Sequence, residues 1–380
     1  MKKKIVSLAL SALLLVSCSS GGSLVSEPVS DSESRSKYYA DLTAEDVRQA
    51  YRGADALEGV YFDKFTMPEI IEVPQFDRLY ELTVNTVPAE YDKERLKKLF
   101  SDLVGGSFDP NCFIPLGNTT GYVYNSAGEQ SFHCDYIGGG FKFFAPDADR
   151  SQGTQEVVWS GYVGVNGDQL LELGDVQTSV GQQTALFDKR LGDEFEGLFD
   201  QFDVQTEYMY AFGNGSIVAH CAFAFEGIPL QWMTTGLQQR INADALEYAN
   251  LTKEYYASYG INAELAGGES WGMITTSSIP RLIDKKELSS VISLKRAVGI
   301  LQSELDGSSI FNFCDVRLIY TGLVTDNRNI NAPSDSQEEA FNSEPVTLVP
   351  MWCFFIESGG NPSDCIKVNA VNGDVIYDVS

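Results

Sequence analysis

The sequence predicts an α+β fold: a strand-rich N-terminal part, then two units that each run from a helix into an antiparallel meander. Three observations predict it. Apolar and polar residues alternate with period two over 78–87 and through much of 121–165. Two stretches, near 187–202 and 294–305, repeat apolar residues at helical spacing, and apolar strand patterns follow each. The strand patterns that follow them also match each other residue by residue over short segments.

The chain opens on Lys2-Lys3-Lys4, an apolar run from Ile5 to Val16, and Ser17-Cys18. Charge, grease and a small residue before a cut is the order of an export signal. The apolar run spans about twelve residues, short of the roughly 20 a membrane span needs. Leu15-Val16-Ser17-Cys18 resembles the lipobox of bacterial lipoproteins. The resemblance implies removal of residues 1–17 and a diacylglycerol on Cys18, which becomes the N-terminus, with palmitate among its acyl chains. Residues 18–40 then read as a flexible tether of serine, glycine and charge.

Composition bounds the body. Hydrophobic residues make up 43% of the 380, enough for a packed core and for two or three domains. The expected boundaries are 41–172 for the strand-rich region, 173–285 for the first unit with a connecting hairpin, and 286–380 for the second. Net charge is −26; removing residues 1–17 takes three lysines and no acids, leaving 24 bases against 53 acids, or −29. Such a surface repels phosphate backbones, which excludes nucleic acid as a partner bound through net charge.

The elements follow in order. Thr43-Ala44-Glu45-Asp46 opens a short helix to about Leu57. Tyr80, Leu82 and Val84 alternate with Glu81, Thr83 and Asn85 as a half-buried strand. Asp92 caps a helix with Leu96, Leu99, Phe100 and Leu103 on one face, ended by Gly105-Gly106. Strands then run through 122–136, 141–144 and 156–165, the last closed by Asn166-Gly167 as a hairpin turn. Phe187, Leu191, Phe195, Leu198 and Phe202 form one helix face; strands at 204–212 and 217–225 meet at Gly213-Asn214-Gly215. Ser293 caps a second helix carrying Leu294, Val298, Leu301 and Leu305. Strands follow at 311–323, 346–356, 365–370 and 375–377, with a polar loop over 325–344.

Asp203–Tyr208 lines up with Asp315–Tyr320, and Cys221–Phe225 with the stretch from Cys353, which suggests an internal duplication. The end of the chain, Lys367-Val368-Asn369-Ala370-Val371-Asn372-Gly373-Asp374-Val375-Ile376, resembles the end of PepSY-type domains. The resemblance implies that 289–377 is a PepSY-like unit and 178–230 a shorter copy. It also implies binding, through inhibition of a protease or modulation of a sensor, as in lipoproteins and regulators at the outer face of Gram-positive membranes.

Patterns that could carry chemistry are few. Gly268-Glu269-Ser270-Trp271-Gly272 spells G-x-S-x-G, but strand character follows the serine where a nucleophile elbow needs a helix. The two histidines, His133 and His220, both precede it and each neighbours a cysteine, Cys134 and Cys221. Neighbours on a strand point to opposite faces, so each pair needs the other to make a metal or nucleophile site. Asp147–Gly153 begins like an EF-hand loop, but its glycine comes one position late and Val158 stands where the last ligand belongs. Asp326, Asp335, Glu338 and Glu339 read as solvated. Tyr255, Tyr256, Tyr259 and Trp271 are candidate groove residues for peptide or glycan, whereas Trp352 reads as core. No cofactor or metal pattern stands out.

Of seven cysteines, six remain after Cys18. Cys353 with Cys365, across the turn at 358–362, is the best local disulfide candidate, and Cys112 with Cys134 a weaker one. The other reading is several free, buried thiols. The expected function is a non-enzymatic binding or regulatory lipoprotein at the cell envelope, held on the extracytoplasmic side through Cys18, with an envelope protein, peptide or glycan as partner. The alternative is an extracytoplasmic hydrolase of cell-wall polymer.

Overall fold

A computed structural model describes residues 45–86, Ser101 and Leu103, 113–115, 122–126, 129–134, 141–144, 156–194, 201–231, 238–240, 260–266, 270–276, 279–305, 307, 309–322, 345–357 and 364–378. All lie in one contact unit that begins at Leu42.

The expected α+β arrangement is overturned. Strands take up 53% of the described residues and helical segments 19%, in several sheets, so the fold is mostly β. Neither helix-and-meander stretch is a self-contained PepSY-like unit. The strands at Asp203–Phe212 and Ile217–Phe225 lie within a ten-stranded sheet. The C-terminal strands share an eight-stranded sheet with strands from 65–86, 238–240 and 280–288. Strand edges seek any partner of matching register, so segments far apart in sequence complete each sheet.

The first sheet is antiparallel. Its order is Phe113–Pro115, Tyr122–Ser126, Glu129–Cys134, Phe141–Phe144, Ser270–Thr276, Gly260–Ala266, Ile217–Phe225, Asp203–Phe212 and Val157–Tyr162, and the short Ile228–Pro229 pairs with the end of Ile217–Phe225 as the tenth. Alternation sorts its side chains. Met209, Ala211, Ala219, Cys221, Ala263 and Ile274 are buried on one face. The helix α1, Val180–Glu194, covers this face. Its Phe187 meets the Trp271 ring edge-on at 5.9 Å, and Arg190 lies 4.5 Å over the same ring.

The second sheet runs Gln238–Arg240, Val375–Asp378, Cys365–Asn369, Val346–Ile356, Phe311–Gly322 and Phe65–Thr66; Leu79–Thr86 and Pro280–Leu288 extend it from the start of Val346–Ile356. Val316, Leu318, Trp352, Phe354 and Val368 join the core on one face, with the helix α2, Leu294–Glu304. Trp352 donates its indole N–H to the Ile292 carbonyl at 2.7 Å, which places this residue in the core as its sequence context implied. Lys64 caps the end of α2 by donating to the Gln302 and Leu305 carbonyls.

Phe311–Gly322 pairs with Phe65–Thr66 only at its start. Further along that edge, side chains and loop backbone take the place of a strand at two positions. The Leu318 N–H donates to the Tyr51 hydroxyl at 3.0 Å, and the Tyr320 carbonyl accepts from the Gln231 N–H at 2.9 Å. An unpaired buried N–H is costly, which accounts for a tyrosine placed there.

The opposite face of the second sheet carries Ile319, Met351, Cys353, Phe355 and Cys365. It packs against Tyr162 and Ala222 of the first sheet. The two sheets thus meet face to face, with a helix outside each.

Three local expectations also change. Within 45–57, the described part of the expected helix, there is no continuous helix: a single turn at Val47–Gln49 ends before Gly53, whose φ of 77° interrupts it, and another turn spans Asp55–Leu57. Asn166-Gly167 is no hairpin. It closes a turn at Gly164–Asn166, with Gly167 at φ −52° and the Asn166 amide donating to the Tyr162 carbonyl. Asn372-Gly373 does turn, with Gly373 at φ 83° and the Asn369 side chain accepting from the Val371 N–H.

Candidate functional site

The largest concentration of charge inside the described fold lies where the two sheets face each other. Period-two alternation aims Arg317 of Phe311–Gly322 at the first sheet, alongside Ile319. A register shift between Thr206 and Tyr208 adds Glu207 to its strand and turns that residue inward. A second shift, between Phe313 and Asp315, adds Cys314 to that strand; Asp315 stays paired with Phe355 and shares the inward face of Arg317.

The result is a cluster. Arg317 forms an ion pair with Glu207 through Nη1, and donates from Nε to Asp315 Oδ2 at 2.5 Å. Asp315 is 0% exposed, Glu207 3%, and the Arg317 side chain 13%. Asp315 Oδ1 also accepts from the Val316 N–H. The Arg317 guanidinium lies 5.3 Å from the Tyr162 ring, and its Nη2 is buried with no hydrogen-bond partner among the described residues. Glu72 reaches the same field from the segment before Leu79. Its carboxylate rests on Gly164, where an added Cβ would fall 1.7 Å from Oε2. A side chain at position 164 would push that carboxylate aside.

The electrostatics follow from burial. Loss of water pushes Glu207 up to about 7, against the pull of Arg317. Desolvation raises Glu72 as well, again opposed by Arg317. Burial works against the charge on Arg317, but Asp315, Glu207 and Glu72 outweigh it, so the guanidinium is held protonated more firmly than usual. Beside the cluster, Lys367 is buried and donates to Gln231 Oε1 at 3.0 Å. The register sets Arg317, Cys353 and Lys367 in one row across three strands.

A second region is the half-exposed part of the first sheet, on the face away from α1. Tyr208, Tyr210 and His220 are in mutual ring contact at 5.1, 5.5 and 6.3 Å. His220 Nδ1 is hydrogen-bonded to Asn262 Oδ1. Desolvation lowers the His220 pKa, with the Asn262 bond acting the other way.

The residues marked in the sequence fall elsewhere. His220 and Cys221 lie on opposite faces, and Cys221 is buried under α1 with its thiol raised by desolvation. The register runs from His220 through Asn262, Thr275 and Lys142 to His133. Four strand steps of about 4.8 Å separate the histidines by roughly 19 Å, so the two His-Cys pairs do not converge. Ser270 begins a strand opposite Ala266, not a helix. Cys353 lies opposite Lys367 and Cys365 opposite Phe355. That diagonal is about 7–8 Å between Cα atoms, beyond ordinary disulfide reach. Both stand as separate buried thiols, and the expected bridge is not formed. Cys18, Cys112, Asp147–Gly153, Tyr255, Tyr256, Tyr259, Asp326, Asp335, Glu338 and Glu339 lie outside the described residues, as does the side chain of Cys134.

Sequence reasoning did not single out Glu207 or Arg317; it aligned Asp203 with Asp315 as equivalent positions of a duplication. Asp203 is exposed and Asp315 is not. Among the described residues no His, Cys, Asp or Glu group is arranged to hold a metal ion, and no helix is long and apolar enough to cross a membrane.

No family model matches the sequence, and no curated protein matches it. The crystal structure of an uncharacterized protein from Eubacterium rectale ATCC 33656 is similar to this chain. The two are 12% identical, with a TM-score of 0.45, over 84% of this chain and 92% of that one.

Proposed function

We propose that this chain is a lipid-anchored extracytoplasmic protein that binds a partner at the cell envelope and performs no covalent chemistry of its own. One observation carries the reading: three lysines, a short apolar run and Leu15-Val16-Ser17-Cys18 occur in the order that lipid modification requires. Lipid on Cys18 holds the body near the membrane, and the tether over 18–40 lets it turn. Anchoring raises the local concentration of anything else held at that surface.

The Tyr208–Tyr210–His220 strip supplies a binding face. Aromatic rings with polar tips offer large contact area at low entropic cost, and they are half-exposed here. The charge of the processed chain favours a partner with basic groups.

The anchor is tested by expressing Cys18→Ala beside the native chain, with a palmitate analogue as label. The native chain takes the label and sediments with membranes. The variant loses the label and either appears in the medium or accumulates unprocessed. Equal labelling of the two would remove Cys18 as the anchor. Cross-linking on intact cells, repeated with Tyr210→Ala, tests the face: the native chain should capture a discrete envelope partner, with at least a several-fold loss in the variant.

A further inference from the structure

Glu72, Glu207 and Asp315 come from two strands and one connecting segment, and all three act on the single guanidinium of Arg317. With every carboxylate ionised, three negative charges would face Arg317 and, one row on, the buried Lys367, which leaves the cluster net negative in a layer largely closed between sheets. Water does not screen charge there, and like charges sharing such a site keep a proton in common. The unused Arg317 Nη2 shows that the fork is not saturated even so.

We propose that this cluster retains an excess proton near neutral pH and works as a pH-sensitive clasp between the two sheets, closed while protonated and loosened as the proton leaves. The inference does not rest on the lipid anchor. The charged groups acting on Glu207 are Arg317 and Asp315 on Phe311–Gly322, Asp188 on α1 and Glu72 before Leu79; Lys367 lies beside the cluster, and Tyr162 closes the Arg317 side. Asp188 accepts two hydrogen bonds from Thr206, both at 2.7 Å, and burial still raises its pKa. Glu72, Asp188 and Glu207 therefore shift in one direction.

The sign follows. An unfolded glutamate gives up its proton near its ordinary 4.5, whereas Glu207 keeps it to about 7. Between those values the folded chain binds more protons than the unfolded one. Stability from this group is present below pH 4.5 and is lost as pH rises through about 7. His220, with its lowered pKa, contributes the opposite slope through its ordinary 6.5, so the comparison must be made between variants.

The test is thermal unfolding of the processed chain from about pH 6 to about pH 8.5, for the native protein, Glu207→Gln and Glu72→Gln. The expected result is a native midpoint that drops by several degrees, with that drop at least halved in one of the two variants; which variant flattens identifies the carboxyl that holds the proton. Difference infrared spectroscopy of the native protein provides a second measurement if the variants fail to fold. A buried carboxylic-acid C=O stretch should be present at about pH 6 and gone by about pH 8.5. Parallel midpoint curves in all three proteins, or no carboxylic-acid band at the lower pH, would overturn the proposal.

Discussion

Removing the guanidinium of Arg317 would leave Glu207 and Asp315 facing a closed layer without a counter-charge. Breaking one partner out of a buried ion cluster costs about 3–5 kcal/mol, because the remaining charges stay desolvated. Arg317→Met is accordingly expected to lower the stability of the isolated protein by that amount in urea titrations. A loss below about 1 kcal/mol would mean that water reaches the site. Nothing in local spelling marked Arg317: it is one of two charged residues in an otherwise apolar strand run, Cys314-Asp315-Val316-Arg317-Leu318. A buried charge at an inward position of a strand was the available signal, but it identifies no partner.

The cysteines argue at the same scale. Cys353 and Cys365 are close in sequence and on neighbouring strands, which made a bridge attractive. A two-residue offset in register keeps them apart. Alkylation of the denatured, unreduced protein should modify both thiols, read by peptide mass. An unmodified, linked pair of peptides would show that the sheet shifts register on oxidation.

At the scale of elements, α1 shows where periodicity succeeds and where it falls short. The spacing of Phe187 and Leu191 placed the helix, and both side chains are fully buried. Its start lies earlier than the apolar stripe, because Ser179 and Gln182 form a reciprocal cap. The Gln182 N–H donates to Ser179 Oγ at 3.2 Å, and the Ser179 N–H donates to Gln182 Oε1 at 3.1 Å. Ser179→Ala should cost about 1 kcal/mol, read as a lower melting midpoint with unchanged far-ultraviolet circular dichroism at low temperature. An unchanged midpoint would mean that packing under Phe187 alone holds the helix. The strands at 79–86, 311–322 and 346–356 were legible to within a residue or two, since the first alternates and the other two are long and mostly apolar. The turn at Asn166-Gly167 was misread because Asn-Gly permits positive φ without requiring it.

Across the whole molecule, the two sheets are assembled from segments far apart in the chain. Leu79–Thr86 bridges Val346–Ile356 and Pro280–Leu288, while Gly260–Ala266 pairs with Ile217–Phe225. Such pairings are absent from any local pattern, and they turn an expected row of helix-and-meander units into two large sheets. Local residue patterns carry the lipobox-like stretch ending at Cys18, the net acidic charge, the positions of the main strands and the apolar stripe of each helix. Each depends on residues within a few positions of one another. Only the tertiary structure decided which strands share a sheet, that Cys353 and Cys365 stand apart, and that Glu72, Glu207, Asp315 and Arg317 meet. Register and burial are set by contacts between segments hundreds of residues apart, and desolvation exists only once those segments close over the charge.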